Sequence, residues 1–238
     1  MDNANYTSLT RQSGLMREMQ IVAHNIANIS TTGFRKEGIV FSEFVRRLEG
    51  DEPSLSMALA NGRHISLRQG GLTQTNGTFD FAIEGDGFFL VETPQGERLT
   101  RAGHFTPNAE GELVTPDGYR LLDGGGAPIF IPPDAAKVAL GTDGTLSADG
   151  LAFAQVGVFV PADPLGLQRE AGTLFRSPAG TEPLEGARLV QGYLEESNVD
   201  PIAEVARMIE VQRAYELGQS FIEREDERIR AVVQALGK

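Results

Sequence analysis

The stretch Pro201-Ile-Ala-Glu-Val-Ala-Arg-Met-Ile-Glu-Val-Gln-Arg-Ala-Tyr-Glu-Leu-Gly-Gln-Ser-Phe-Ile222, continuing to Lys238, holds no proline after its first residue. Proline fits the first turn of a helix and breaks it anywhere else. The segment therefore reads as one helix from Pro201 onward, with Asn198 or Asp200 as its N-cap. From Met208 the positions Val211, Tyr215, Gly218, Ile222, Glu225, Ile229, Val232 and Leu236 alternate by three and four, a heptad-like seam of about four repeats. Ile202, Val205 and Ile209 extend it toward the start. At ~1.5 Å per residue such a helix is about 55 Å long.

The opposite end has the same character. All 12 prolines lie between Pro53 and Pro201, and Gly14 is the one glycine before Thr32. A helix is predicted from about residue 4 to residue 29. Leu9, Met16, Met19, Ala23 and Ile26 return to one face, widened by Leu15, Val22 and Ile29. Thr31-Thr32-Gly33-Phe34 ends it, with Gly33 suited to a left-handed C-terminal position.

Between the ends the pattern changes to period two and short apolar runs. Phe79-Asp-Phe-Ala-Ile83, Phe88-Phe-Leu-Val91, Tyr119-Arg-Leu-Leu122, Pro128-Ile-Phe-Ile131, Lys137-Val-Ala-Leu140 and Gln155-Val-Gly-Val-Phe-Val160 read as strands. Asp86-Gly87, Asp117-Gly118, Asp143-Gly144 and Asp149-Gly150 read as hairpin turns. The expected fold is α+β. Long N- and C-terminal helices form a coiled-coil-like domain, and a central all-β domain is inserted between them. The expected boundaries are 1–36 and 197–238 for the helical halves, 37–72 for a connector with partial structure, and 73–196 for the β-domain. The connector joins apolar Ile39, Val40, Phe41, Phe44 and Val45 to a charged, polar run from Arg46 to Ser56.

A single stripe on a helix of this length cannot be buried against itself. Each large apolar side chain left in water forfeits ~1.5–3 kcal/mol, so the seam needs a partner. That partner is the other end of the same chain, in a helical hairpin, or the helices of neighbouring copies. Residues 1–36 carry a net +2 and residues 195–238 a net −4, which favours contact between the two ends within or between subunits, although surface pairs are individually weak.

Other functions are argued against. The formal net charge is −12, a poor match for nucleic acid or an anionic membrane surface, and no run is long and apolar enough for membrane insertion. With no cysteine and three scattered histidines, His24, His64 and His104, a zinc or iron–sulfur centre is not expected, nor any other cofactor. Gly85-Asp-Gly87 and Gly124-Gly-Gly126 lack a phosphate loop's lysine and open no helix. The Asp-Gly pairs lack the spaced carboxylates of a calcium loop. The carboxylates Glu195, Glu196 and Glu223–Glu227 have no positioned partner for acid–base chemistry, so no catalytic residue is assigned and an enzyme is not expected. The opening residues show no basic stretch before an apolar core, so no cleavable signal peptide is predicted.

Two signatures then resemble a known family. Asn25-Ile-Ala-Asn28-Ile-Ser-Thr31-Thr-Gly33-Phe34-Arg35 is similar to the N-terminal signature of bacterial flagellar rod and hook proteins. Gly192-Tyr-Leu-Glu-Glu-Ser-Asn198-Val-Asp200-Pro, followed by Met208-Ile and Gln212-Arg213-Ala-Tyr215-Glu216, resembles their C-terminal signature. Ile83-Glu-Gly85-Asp-Gly87-Phe-Phe89 and Arg101-Ala-Gly103-His-Phe105 resemble their β-domain. The opening Met1-Asp-Asn-Ala-Asn-Tyr6 is nearer to proximal rod members than to distal ones. Two departures stand out: His24 where Asn or Ser is frequent, and Gly218 where Asn is frequent, which weakens the seam locally.

The resemblance implies a structural subunit of the periplasm-spanning flagellar rod, the axial shaft that transmits torque. Such a subunit is exported without a cleavable signal by the flagellar type III apparatus. Its expected partners are copies of itself, the proximal and distal rod proteins, and that apparatus. The assembly-interface candidates are Leu9, Met16, Met19, Ala23, Asn25, Ile26, Asn28, Gly33 and Phe34 at the first end. At the last end they are Asn198, Ile202, Val205, Ile209, Val211, Gln212, Arg213, Tyr215, Ile222, Ile229 and Val232. Asn25 and Asn28 either bond across subunits or serve local turn chemistry. Phe34 either plugs an intersubunit pocket or packs under its own β-domain. The contrasting reading is a β-domain that binds or hydrolyses peptidoglycan and uses the helices only to dimerise.

Overall fold

The computed structural model of the chain describes the backbone of residues 2–46 and 55–236, with side chains described for residues 8–40 and 62–236. The side chains of Phe41, Phe44 and Val45 and the connector's polar run at 47–54 lie outside the described residues. The chain divides into two compact units. One comprises residues 1–27, 37–64 and 200–238, and the other residues 28–36 and 65–199.

The first unit holds both long helices, α1 Asp2–Ala27 and α2 Pro201–Leu236. It also holds β1 Glu37–Arg46, which pairs with β2 Leu55–Ile65 in a two-stranded sheet. The segment expected as a connector is thus largely a strand pair. Asp200 is the N-cap of α2. Its Oδ1 accepts from the Ile202 and Ala203 amides at 2.9 and 3.1 Å, satisfying two donors that a helix start otherwise leaves orphaned. Asn198 is not the cap and is bonded elsewhere.

The helix α1 stops at Ala27, two residues short of the expected end. A turn follows, closed by the Thr31 amide on the Asn28 carbonyl at 3.2 Å and by the Phe34 amide on Thr31 at 3.1 Å. Gly33 has φ +69°, but it lies six residues past the helix and does not cap it. Its conformation answers a close approach in the second unit, where a β-carbon would sit 2.3 Å from the Ala102 nitrogen.

The second unit is all β. Its strands are β3 Leu72–Gln74, β4 Phe81–Glu84, β5 Phe88–Thr93, β6 Gly96–Thr100, β7 Thr106–Pro107, β8 Leu113–Val114, β9 Arg120–Leu121, β10 Val138–Leu140 and β11 Thr145–Ala148. They continue as β12 Leu151–Gln155, β13 Val158–Pro161, β14 Gln168–Arg169, β15 Leu174–Arg176, β16 Thr181–Pro183, β17 Arg188–Gln191 and β18 Tyr193–Glu195. The largest sheet runs β14-β15-β6-β5-β9-β8-β7, with β13 joining β5 to β16. Separate sheets are β10-β11-β12, β17-β4 and β18-β3.

Strand β5 explains the core. Successive side chains of a strand point to opposite faces. Phe89 and Val91 enter a cluster with Phe81, Phe105, Leu113 and Leu121, while Phe88 and Leu90 enter another with Leu99, Phe159 and Phe175. A strand buried on both faces needs an unbroken apolar run, and residues 88–91 supply it.

The turn assignments divide. Between β11 and β12, Asp149 and Gly150 both have positive φ, 50° and 88°, as a type I′ hairpin turn requires. Asp86-Gly87 is not a hairpin turn, because β4 pairs with β17 and β5 with β6, so this turn carries the chain from one sheet to another. Residues 128–131 make only the isolated bridges Leu122–Pro128 and Glu112–Phe130. Proline cannot donate to a ladder, yet Ile129 and Ile131 are still buried.

Candidate assembly interface

Within the first unit α1 and α2 run antiparallel, as three polar contacts in reverse order along α2 show. Asn25 reaches Glu204, Glu18 reaches Arg207, and Gln12 reaches Tyr215. Asn25, in the last turn of α1, is buried and acts as a bracket. Its Oδ1 accepts from the Glu37 amide at 3.0 Å, and its Nδ2 donates to the Glu37 carbonyl at 2.8 Å and to Glu204 Oε2 at 3.1 Å. The side chain thus mimics a neighbouring strand and ties helix, strand and second helix together. Glu18, also buried, accepts from Arg207 Nε at 2.7 Å, and this bond holds the Arg207 guanidinium above its ordinary pKa. The Gln12 amide donates to the Tyr215 carbonyl at 2.9 Å.

The seam along α2 faces α1 and fades along its length. Val211 is 2 % exposed and Met208, Tyr215, Gly218, Ile222 and Ile229 are half-buried, whereas Leu236 is 82 % exposed. Ile202, Val205 and Ile209 do not extend this seam. They lie on the far side of α2 and are exposed, because Glu204 takes the inward seat in that turn. On α1 the buried arc is formed by Glu18, Ile21, Val22 and Asn25; Val22, on the widened edge of the expected stripe, lies in it, but the arc is turned by about 100°, one residue position, from Met19, Ala23 and Ile26. Leu9, Met16 and Ala23 are exposed, and Met19 and Ile26 are half-buried. The charge argument also changes. The ion pair between Glu18 and Arg207 puts the acid on α1 and the base on α2, and Arg35 is buried in the second unit.

There, three signature segments meet in a buried charge cluster. Arg35, Arg101 and Glu195 are each no more than 2 % exposed. Glu195 Oε1 lies 3.0 Å from Arg35 Nη1 and accepts from the Gly70 amide at 2.8 Å, and Oε2 lies 3.3 Å from Arg101 Nη1. The Arg35 guanidinium also donates to the Arg68 carbonyl, and that of Arg101 to the carbonyls of Ile83 and Gly85. Burial disfavours the charged form and pulls Arg101 down to about 10, below the ordinary arginine range, opposed by Glu195. Arg35 is lowered for the same reason. Phe34 is buried beneath the Arg169 guanidinium, 4.2 Å from its ring centroid, so it packs under its own β-rich unit. Asn198 accepts from the Lys36 amide at 2.6 Å and donates to the carbonyls of Ser66 and Arg68 at 3.1 and 2.6 Å.

Comparison with known proteins gives this arrangement a family. Residues 6–35 match the model described as flagella basal body rod protein, residues 82–148 the flagellar hook protein FlgE/F/G D1 domain, and residues 190–235 the flagellar basal body rod FlgEFG protein C-terminal region. The flagellar basal-body rod protein FlgF of Caulobacter vibrioides is 40 % identical over the whole chain and 99 % of its own length. The chain belongs to the flagellar basal-body rod protein family. FlgF of Rhizobium meliloti is 34 % identical over the whole chain and 99 % of its own length, and FlgG of Bacillus subtilis 31 % over 96 % and 97 %. The protein is accordingly a structural subunit of the flagellar basal-body rod, FlgF-like with FlgG-type proteins next in similarity.

The rod subunit's signature residues divide by position. Asn25, Gly33, Phe34 and Val211 are buried within the chain's own fold, and Asn28 accepts from its neighbour Thr31 Oγ1 at 3.1 Å. Gln212, Arg213 and Val232 are exposed on α2. Sequence reading missed Gln12, Glu18, Glu37, Arg101 and Glu204 as site residues. Arg101 and Glu195 stood inside quoted motifs, but no spacing in the sequence shows that they converge. Among the described residues no three His, Asp or Glu side chains are grouped to hold a metal ion, and no helix is long and apolar enough to cross a membrane.

Proposed function

We propose that this rod subunit joins the axial shaft through the outward faces of its two long helices. The inward faces are already used: α1 and α2 cover each other through Val22, Val211 and the three polar contacts. What carries the reading is the second apolar stripe that remains, Ile202, Val205 and Ile209 on α2 with Leu9, Met16 and Ala23 on α1, several of them about half exposed or more. Leaving each large side chain in water costs ~1.5–3 kcal/mol, and packing against neighbouring subunits recovers that. The helices then form a coiled-coil-like core of a torque-transmitting shaft that spans the periplasm. The neighbours are copies of the chain and the other proximal and distal rod proteins. Export proceeds through the flagellar type III apparatus.

The test is the double substitution Ile202→Glu/Ile209→Glu. Both residues lie on the outward face, so folding free energy should change by no more than about 0.5 kcal/mol per site and the far-UV circular dichroism should be unchanged. Cells carrying the variant should lack rods and be non-motile. Motile cells would refute the outward-face reading.

A further inference from the structure

The N-terminal signature segment has no task in that reading. Residues 27 and 37 belong to the helical unit, but residues 28–36 between them belong to the β-rich one. The segment is an inclusion there rather than part of the frame. Strands β3 to β18 all lie within residues 72–195, and neither apolar cluster of the unit includes Phe34. With the segment removed, sheets and core remain complete.

No strand falls within the segment, so scattered bonds hold it rather than a ladder. The Gly33 amide donates to the Glu195 carbonyl at 2.7 Å, the Ser66 amide to the Lys36 carbonyl at 2.8 Å and the Asn198 amide to the Phe34 carbonyl at 3.2 Å. The Lys36 amide donates to Asn198 Oδ1 at 2.6 Å. The Arg169 guanidinium roofs Phe34, lies 4.7 Å from the Phe175 ring centroid and donates to the Arg35 carbonyl. Arg169 stands in β14, a two-residue strand at the edge of the largest sheet.

Closing the segment onto this seat brings a gain and a cost. The gain is Phe34, only 1 % exposed, because removing an apolar ring from water is favourable. The cost is Arg35. Closure sets a second buried cation beside Arg101 at the shared carboxylate of Glu195. After burial, the Arg35 charge also works to lower Arg101. Arg35 Nε and Nη2 have no hydrogen-bond partner, and a buried donor left unpaired is destabilising. Opening returns Arg35 to water and leaves Arg101 and Glu195 as a matched pair.

We infer that residues 28–36 are a latch: they close on a β-rich unit that is already folded, and they open as one piece without unfolding it. The opposing contributions of Phe34 and Arg35 make the segment a two-state element, ordered or released, of the kind that conformational switches use. The subunit can thus hold its signature segment or free it while the β-rich unit stays intact. The inference stands apart from the rod reading, which the motility of the Ile202→Glu/Ile209→Glu strain tests alone.

Native-state amide exchange of the full-length chain, in urea below the unfolding transition, reads the opening directly. The Gly33, Lys36, Ser66 and Asn198 amides should exchange through one common opening. That opening should be roughly tenfold or more as frequent as the one that frees Leu122 and Ile129, whose amides bond the Leu90 and Leu121 carbonyls in the core. Exchange of the latch amides should hardly respond to urea, because little surface is exposed, whereas that of Leu122 and Ile129 should rise steeply. Arg169→Ala should quicken the latch amides by roughly a further tenfold and leave Leu122 and Ile129 unchanged. Latch amides that follow Leu122 and Ile129 in rate and urea slope would overturn the inference. So would an Arg169→Ala chain in which all of these amides quicken alike.

Discussion

Replacing Glu195 with Gln removes one charge and almost no volume, and it should unfold the β-rich unit far more readily than an ordinary substitution. Glu195 lies 3.0 Å from Arg35 and 3.3 Å from Arg101, with all three residues no more than 2 % exposed. At an effective dielectric constant of ~20, an opposite charge at these distances attracts with roughly 5 kcal/mol. The amide keeps an oxygen that can accept from the Gly70 amide, but both guanidinium groups then stay buried with only the Asp86 carboxylate, a weaker influence than Glu195, to oppose their charge, and they repel each other. Relaxation and water entry offset part of this, and breaking a buried pair costs about 3–5 kcal/mol in practice. For a unit of about 150 residues each kcal/mol moves the thermal midpoint by about 2–4 °C, so the midpoint should fall by roughly 6–20 °C. Urea unfolding followed by far-UV circular dichroism and by the fluorescence of Tyr119 and Tyr193 measures the loss. A loss under about 1 kcal/mol would refute the reasoning, because it would mean that these charges are solvated rather than paired. The pH dependence has a definite sign. Arg101 is lowered to about 10 in the folded chain, below its unfolded value, and without Glu195 it falls further. Where the folded chain has shed a proton that the unfolded chain still holds, stability rises with pH. The deficit of Glu195→Gln should therefore be largest near neutrality and narrow toward pH 10.

Asn25→Asp should damage the helical unit more than Asn25→Ala. The alanine loses three hydrogen bonds, each worth about 0.5–1.5 kcal/mol, whereas the aspartate also sets a carboxylate against Glu204 and the Glu37 carbonyl; amide hydrogen exchange in α1 reads the difference. Gly33→Ala should destabilise the β-rich unit by more than about 2 kcal/mol, since φ +69° strains any side chain and the β-carbon meets backbone at 2.3 Å; recovery of soluble, thermally cooperative protein checks it. Asp200→Ala should cost about 1 kcal/mol by uncapping α2, seen as lowered helicity in its first turn, and Asp200→Asn should restore most of it.

What the sequence determined by itself follows from local chemistry. Proline confined to 53–201 marks where long helices can form. Pro201 preceded by Asp200 marks where one starts. The run from Phe88 to Val91 marks a strand buried on both faces. The three-four alternation from Met208 to Ile229 picks out the side of α2 turned toward α1. Tertiary structure alone decided what periodicity cannot express. Apolar spacing put Leu9, Met16 and Ala23 on the working face of α1, but the buried arc is built partly from Gln12, Glu18 and Asn25, whose partners on α2 are 203, 189 and 179 residues away. A polar residue is affordable inside only when a specific partner meets it, and no window of sequence contains both. The same holds for Arg35, Arg101 and Glu195: each sits in a recognisable motif, but only the fold brings two cations and one carboxylate within 3.3 Å and removes them from water.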